Sequence, residues 1–325
     1  MIITRTPFRI SLVGGGSDLP EYYRENGGAV VSFTIDKYVY LSMHPMFNRE
    51  RTFLKYSQVE EVARVEDIRH RIVRQVFLDY GIKGVDFNSS ADIPAGTGLG
   101  SSSAFTVGLA RLCDAYVGRY HSQADLAAYA CEVEIEKLGE PIGKQDQYAC
   151  ACGGLNHIRF EPDGQVLVEK IILARENLEK LESRLALFYT GLTRAAGDIL
   201  KEQRENTRIQ ESKREVLGEM VRLAGRLRVD LSRGNIDAVG SALREGWEMK
   251  REMASGITSP EIDSWHAAAL EAGALGGKLL GAGGGGFLLF YAPQDKMAGV
   301  RRALSRLMEV KFHIDRLGSA TIYYD

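Results

Sequence analysis

The sequence is short of several things that would declare a function at once. Of its 325 residues only four are cysteine (Cys113, Cys131, Cys150 and Cys152), with no CxxC pair and no zinc-ligand spacing. A chain of this length can bury a large core without disulfides or structural metal, so reduced, buried thiols of a cytoplasmic protein are expected. The six histidines are scattered and form no metal-binding group. Neither sign of charge is in excess: 41 Lys and Arg stand against 43 Asp and Glu, which argues against a dedicated nucleic-acid binder. No apolar run approaches the ~20 residues of a membrane span, and Met1-Ile2-Ile3-Thr4-Arg5 is not a signal peptide. No nucleic-acid or membrane partner is therefore expected.

Glycine, by contrast, is abundant at 35 residues, and it is clustered. Residues 2–13 alternate β-formers with polar residues and run into Gly14-Gly15-Gly16, after which Ser17 or Asp18 is expected to cap a short helix at Pro20. Val62, Val65, Ile68, Ile72, Val73, Val76 and Phe77 predict one amphipathic helix over 59–80. Residues 85–94 predict a strand, and Gly96–Gly100 a turn into a long buried helix from Ser101. A further helix is expected over about 122–138. Paired strands follow around Pro162-Asp163-Gly164, then a strand near 184–191, charged surface helices over 197–255, and a glycine-dense turn before the strand at 287–292. Strands and helices mix in both halves, which predicts an α+β protein of two domains, 1–182 and 183–325.

The segment Pro94-Ala95-Gly96-Thr97-Gly98-Leu99-Gly100-Ser101-Ser102-Ser103-Ala104 carries the chemistry. Alternating glycines let backbone N–H groups turn inward, and the helix that follows offers unpaired N–H groups and a dipole to an anion. The serines add hydroxyls, completing a phosphate cradle. It is not a Walker A loop, because no Gly-Lys pair fits, and Tyr120-His121-Ser122 stands where a dinucleotide fold needs a strand ending in an acid.

This segment resembles the signature P-x-G-x-G-L-G-S-S-[AS]-A of the GHMP kinases, which include galactokinase, homoserine kinase, mevalonate kinase and phosphomevalonate kinase. Arg5–Asp18 resembles the family's first motif and Lys278–Phe287 its third, in the right order. The resemblance implies a first domain like ribosomal protein S5 domain 2 and a ferredoxin-like second, with the active site between them. It also implies ATP and Mg²⁺. Gly96, Gly98, Leu99, Gly100, Ser101, Ser102 and Ser103 would then hold the ATP phosphates. Ser102 and Glu134 would be the metal ligands, Glu134 being preferred to Glu132 and Glu136 because the family's ligand precedes its catalytic Asp by twelve residues. Three solvated helix carboxylates is the bland alternative.

By the same resemblance Asp146, in Gly143-Lys144-Gln145-Asp146-Gln147, approaches the acceptor hydroxyl, and Arg9 stands beside it to stabilise transferring charge. A simple ion pair between domains would satisfy the same two residues. Gly15, Gly16, Ser17, Asp18, Gly283, Gly284 and Arg194 are the substrate-binding candidates. Where galactokinases carry Gly-Glu-His-Thr, this chain has Gly14-Gly15-Gly16-Ser17. The loss of two bulky polar side chains argues against galactose and exposes N–H groups to an anion. The strings RTPFRISLVGGGSDLPEYY, GKQDQYA and YTGLTR are most similar to the D-glycero-D-manno-heptose 7-phosphate kinases, bacterial sugar 1-kinases feeding GDP-heptose synthesis. A sugar phosphate is then the expected partner, its phosphate held by Arg194, Lys137 or Lys144. A fucokinase-like 1-kinase and a non-catalytic sugar sensor are the alternatives, and a homodimer is a compatible assembly.

Overall fold

A computed structural model describes residues 1–192 and 196–325. Two β-sheets organise it. The first contains β1 (Ile2–Val13), β2 (Gly28–Pro45), β3 (Thr52–Lys55), β4 (Val59–Val62), β5 (Val85–Ala91), β6 (Leu155–Phe160) and β7 (Val166–Lys170). The second is antiparallel and four-stranded, built from β8 (Leu185–Tyr189), β9 (Gly276–Leu279), β10 (Phe287–Tyr291) and β11 (Met308–Val310) in the order β11-β8-β10-β9. The last strands, β12 (Ile314–Asp315) and β13 (Ala320–Tyr324), return to the first sheet, where β12 pairs with β2 and β13 with β1. A division into 1–182 and 183–325 therefore does not follow the sheets. The apolar strand β1 needs a partner on each side, and the C-terminal segment supplies one.

The helices are α1 (Pro20–Asn26), α2 (Arg71–Tyr80), α3 (Ser101–Val117), α4 (Gln123–Cys131), α5 (Gln145–Cys152), α6 (Arg175–Ser183), α7 (Ala196–Ile209), α8 (Glu211–Ser232), α9 (Ala238–Arg251), α10 (Pro260–Glu271) and α11 (Gln294–Ala303). Helix α3 is the buried centre of the first half, with ten residues from Ser103 to Asp114 closed to solvent. One apolar cluster runs from Phe8, Ile10 and Phe33 through Leu187, Leu223 and Leu289, so the two halves share a continuous core. A second cluster, with Trp247, Phe188 and Phe290, draws on the C-terminal half and on Tyr22 of α1.

Three local expectations are corrected. The pattern over 59–80 is not one helix but β4, a 3₁₀ turn at Val65–Asp67 and then α2. The buried Glu60 accepts hydrogen bonds from Tyr56 Oη (2.5 Å) and Arg69 N (2.9 Å), fixing a bend that apolar spacing does not reveal. Neither Ser17 nor Asp18 caps α1. Leu19 takes that position ahead of Pro20, because Ser17 Oγ bonds the Gly14 and Ala29 carbonyls and Asp18 accepts from Gly16 N. Finally, the helix expected to 138 changes at Glu132–Lys137 into a π turn, where Leu138 N donates to the Val133 carbonyl five residues back (3.0 Å).

Candidate active site

Two cavities meet where the halves join. The larger, about 790 Å³, is lined by the loop residues Gly96, Gly98, Gly100, Ser101, Ser102 and Ser103, by Gly281 and Gly283 of the third glycine loop, and by Tyr56, His70 and Phe105. The smaller is lined by Arg9, Ser11, Gly15, Gly16, Asp18, Gln145, Asp146, Gln203, Lys250 and Lys278, among others. Arg9 and Asp146 line both.

The glycine loop ends in the way its sequence requires. Gly96, Gly98 and Gly100 all have positive φ, +75°, +85° and +74°. Helix α3 starts with no side-chain cap and no acidic residue in its first turn, so its leading N–H groups and positive dipole end are free for an anion. Leu99 does not line either cavity. It is buried, and its carbonyl accepts from Arg9 N (3.0 Å). At the far side of the cavity the His70 ring stacks on Phe105 (centroids 5.0 Å) and meets Tyr56 edge-on (4.9 Å). Burial lowers the His70 pKa, so an uncharged aromatic surface faces the cavity. These three residues belong to no motif, and sequence reasoning missed them.

At the junction, Arg9 Nε and Nη2 donate to Asp146 Oδ1 and Oδ2, both at 2.7 Å, and Nη1 donates to the Gly98 carbonyl (2.7 Å). Burial opposes the guanidinium charge, but Asp146 more than compensates and raises the Arg9 pKa. Each Asp146 oxygen keeps a second lone pair for another donor.

Behind the loop, Glu134 is fully buried. The π turn directs it inward while Glu132 and Glu136 stay exposed. Its carboxylate accepts from Ser102 Oγ (2.6 Å), Ser103 Oγ (2.8 Å) and Gln147 Nε2 (2.8 Å). Burial pushes its pKa up against those three bonds, and the charge of Asp146 pushes the same way. All three donors are neutral, so a carboxylate here lacks a counter-charge that a divalent cation would provide. The residues thus fit a metal ion held by one carboxylate, one hydroxyl and phosphate oxygens. Gln147 was not foreseen, although it adjoins Asp146.

In the smaller cavity Asp18 is buried and held by Gly16 N (2.9 Å), Gln145 N (3.1 Å) and Gln145 Nε2 (3.2 Å). Ser11 Oγ and Gln145 Oε1, both in the lining, are buried polar atoms without a hydrogen-bond partner among the described residues. A polyhydroxyl ligand would satisfy them. Of the other sequence candidates, Gly15 and Gly16 are here, while Ser17 belongs to the turn itself. Gly283 lines the larger cavity only, and Gly284 lines neither, its N–H donating to Ile257 O (3.0 Å). Arg194 lies outside the described residues. Lys137 pairs with Asp79 and Glu132, and Lys144 donates to the Gly164 carbonyl, so neither reaches the cavity. Lys250 and Lys278 do line it, brought in by tertiary packing; Lys278 opens the third motif, where no role is assigned to it, and Lys250 belongs to no motif.

A glycine loop opening a helix, facing a carboxylate–guanidinium pair across the entrance to a small pocket lined by polar and charged side chains, defines a small-molecule kinase. The family comparisons agree. Residues 67–154 match the family model described as GHMP kinases N terminal domain, and residues 227–310 match GHMP kinases C terminal. The chain is 28% identical over 317 residues to a D-glycero-alpha-D-manno-heptose 7-phosphate kinase of Campylobacter jejuni, covering 94% of this chain and 93% of that one. It is 27% identical over 346 residues to a galactokinase of Pyrococcus furiosus, covering 96% and 94%. Among solved structures, a D-glycero-D-manno-heptose 1-phosphate kinase from Bacteroides thetaiotaomicron superposes with a TM-score of 0.81 at 24% identity, over the whole of both chains. The chain belongs to the GHMP kinase family, in its two-domain α+β fold, and is an ATP-dependent sugar kinase. Among the described residues no helix is long and apolar enough to cross a membrane.

Proposed function

We propose that the protein transfers the γ-phosphoryl group of ATP to the anomeric C1 hydroxyl of D-glycero-D-manno-heptose 7-phosphate, giving the 1,7-bisphosphate. The observation that carries the reading is the position of Asp146, paired with Arg9 at the boundary of the two cavities. The loop from Gly96 to Ser103 and the α3 N-terminus hold the ATP phosphates in the larger cavity, with the base against Tyr56, His70 and Phe105. Ser102 and Glu134 would hold Mg²⁺, which would supply neutralisation of phosphate charge.

On the acceptor side Asp18 receives hydrogen bonds from sugar hydroxyls, and Gly15 leaves room that a larger side chain would fill. Asp146 orients the C1 hydroxyl and accepts its proton as the new O–P bond forms and the bond to the ADP oxygen breaks. Arg9 holds Asp146 in place and offsets the charge in transit. At about 110 Å³ the acceptor cavity is below the ~300–1,000 Å³ of typical ligand sites, so its lining widens to admit the sugar.

The test is ADP release over a panel of free and phosphorylated sugars, with the phosphorylated position read by phosphorus NMR. The reading expects heptose 7-phosphate to give the highest kcat/KM and a new anomeric phosphate. Equal turnover of free fucose or another free sugar would instead make the protein a fucokinase-like 1-kinase.

A further inference from the structure

The acceptor cavity contains two lysines to which nothing so far gives a task. Lys278, on β9, is 4% exposed, and its Nζ donates to the Leu12 carbonyl (3.0 Å). Lys250, near the end of α9, is half-buried, and its Nζ donates to the carbonyls of Leu279 (3.2 Å) and Gly281. Their described partners are carbonyls, with no carboxylate among them. The nearest guanidinium, Arg9, adds a like charge and is itself committed to Asp146. A buried ammonium is normally paired, and two side by side with only cations acting on them leave an anion to be supplied. When both are protonated they retain three N–H donors between them, two on Lys278 and one on Lys250.

Resting on the heptose 7-phosphate reading, we propose that Lys250 and Lys278 seat the acceptor's own phosphate group, a phosphomonoester dianion. ATP is the other phosphate source at this site, but neither lysine lines the larger cavity that contains the glycine loop. The cavity is divided by charge. Asp18, held by Gly16 and Gln145, serves the hydroxyls, whereas the lysines are anchored on the carbonyls of Leu12, Leu279 and Gly281. The two lysines thus form a cationic part of the lining distinct from the Asp18 turn, suited to a substituent other than the hydroxyls that Asp18 receives. Gln203, from α7, adds a neutral amide to the same lining.

A proton balance follows. Burial, with Arg9, lowers the Lys250 pKa to about 7, and burial with Lys250 and Arg9 lowers that of Lys278 well below its usual value. A bound dianion favours the charged form of both lysines and draws protons from the buffer.

Calorimetry tests this with D-glycero-D-manno-heptose 7-phosphate, the unphosphorylated heptose and ADP as separate ligands. In Lys250→Met the 7-phosphate should bind about tenfold or more weakly, with the free heptose and ADP changed less than about twofold. Lys250→Arg should recover part of the loss. The wild-type protein, without any variant, should take up protons on binding the 7-phosphate at about pH 8 in buffers of different ionisation enthalpy, and none on binding the free heptose. An equal loss for both sugars in Lys250→Met would reduce the lysine to a staple for the Gly281 loop and overturn the proposal. So would a fall in kcat with 7-phosphate affinity intact, which would place the ammonium on the transferring group. Wild-type preference for the free heptose is a separate result, because it overturns the substrate reading itself.

Discussion

Gly98 and Gly281 meet backbone to backbone. A Cβ on Gly98 would lie 2.5 Å from the Leu280 carbonyl oxygen, and one on Gly281 would lie 2.3 Å from Gly98 Cα. Both have positive φ, +85° and +75°. The first loop and the third are thus pressed together with no space for a side chain. Cations pin both carbonyls, Arg9 at Gly98 and Lys250 at Gly281. Gly281→Ala should cost about 1–3 kcal/mol in stability through backbone strain and overpacking. It should also weaken nucleotide and sugar together, measured by melting and by titration of each ligand. A variant that melts normally and binds both would show that the loops can part freely.

Asp146→Asn keeps the shape of the side chain but removes the proton acceptor and the charge opposite Arg9. The expected result is a loss of about 100-fold or more in kcat, with ADP affinity changed little. If kcat stays above about a tenth of wild type, Asp146 serves only to orient, and its part in proton transfer is withdrawn.

Glu134→Gln relieves a buried charge, so melting in the absence of divalent metal should stay level or rise. The Mg²⁺ concentration for half-maximal activity should increase by about tenfold or more, and by less in Ser102→Ala. An unchanged metal requirement would remove Glu134 from the metal site. Glu132 and Glu136 are poor successors, being exposed, with Glu132 already paired to Lys137.

Asp18 should give acceptor binding an acidic limb. Burial raises its pKa, against the hydrogen bonds from Gly16 and Gln145, and repulsion from Asp146 adds to the rise. The carboxylate form predominates only above that raised value. The acceptor KM should therefore climb as pH falls, beginning at a higher pH than an ordinary aspartate would give. Asp18→Asn should raise KM at neutral pH by about tenfold, in line with ~1.5–3 kcal/mol for a charged hydrogen bond, and should flatten the limb. A KM–pH profile identical in wild type and variant would assign the titration to another group.

Gly15→Glu probes the space in the first glycine turn. A Cβ there would sit 3.3 Å from Gln145 Nε2 and 3.6 Å from Ser11 Oγ, tight but tolerable, so the carboxylate extends into the acceptor cavity. It should raise KM for heptose 7-phosphate more than for the free heptose, by repelling the dianion. Equal effects on both sugars would mean that only volume matters at this turn.

Much of the site could be read from the sequence because its parts are local. Alternating glycines before a helix, and Gly14-Gly15-Gly16 after a strand, state their conformations in their spacing. Glu134 is singled out from Glu132 and Glu136 only by the spacing that the family resemblance implies, and the π turn that buries it leaves no signal in three alternating acids. The region 59–80 was misread because three-residue apolar spacing also suits a strand, a 3₁₀ turn and a helix in succession. Lys250 and Lys278, the ring cluster of Tyr56, His70 and Phe105, and the return of β12 and β13 all depend on contacts between distant segments. No window of sequence contains those partners.

The pairing of β13 with β1 has a consequence for synthesis. The ribosome delivers β1 about three hundred residues before β13, so the edge of β1 from Ile2 to Arg5 waits, unpaired, until that much chain has followed. Folding of the first sheet cannot finish in the order in which the chain emerges, and that open edge is exposed to neighbouring nascent chains. Chaperone demand during expression, and inclusion bodies when Ala320–Tyr324 is disrupted, are the cellular signs to look for.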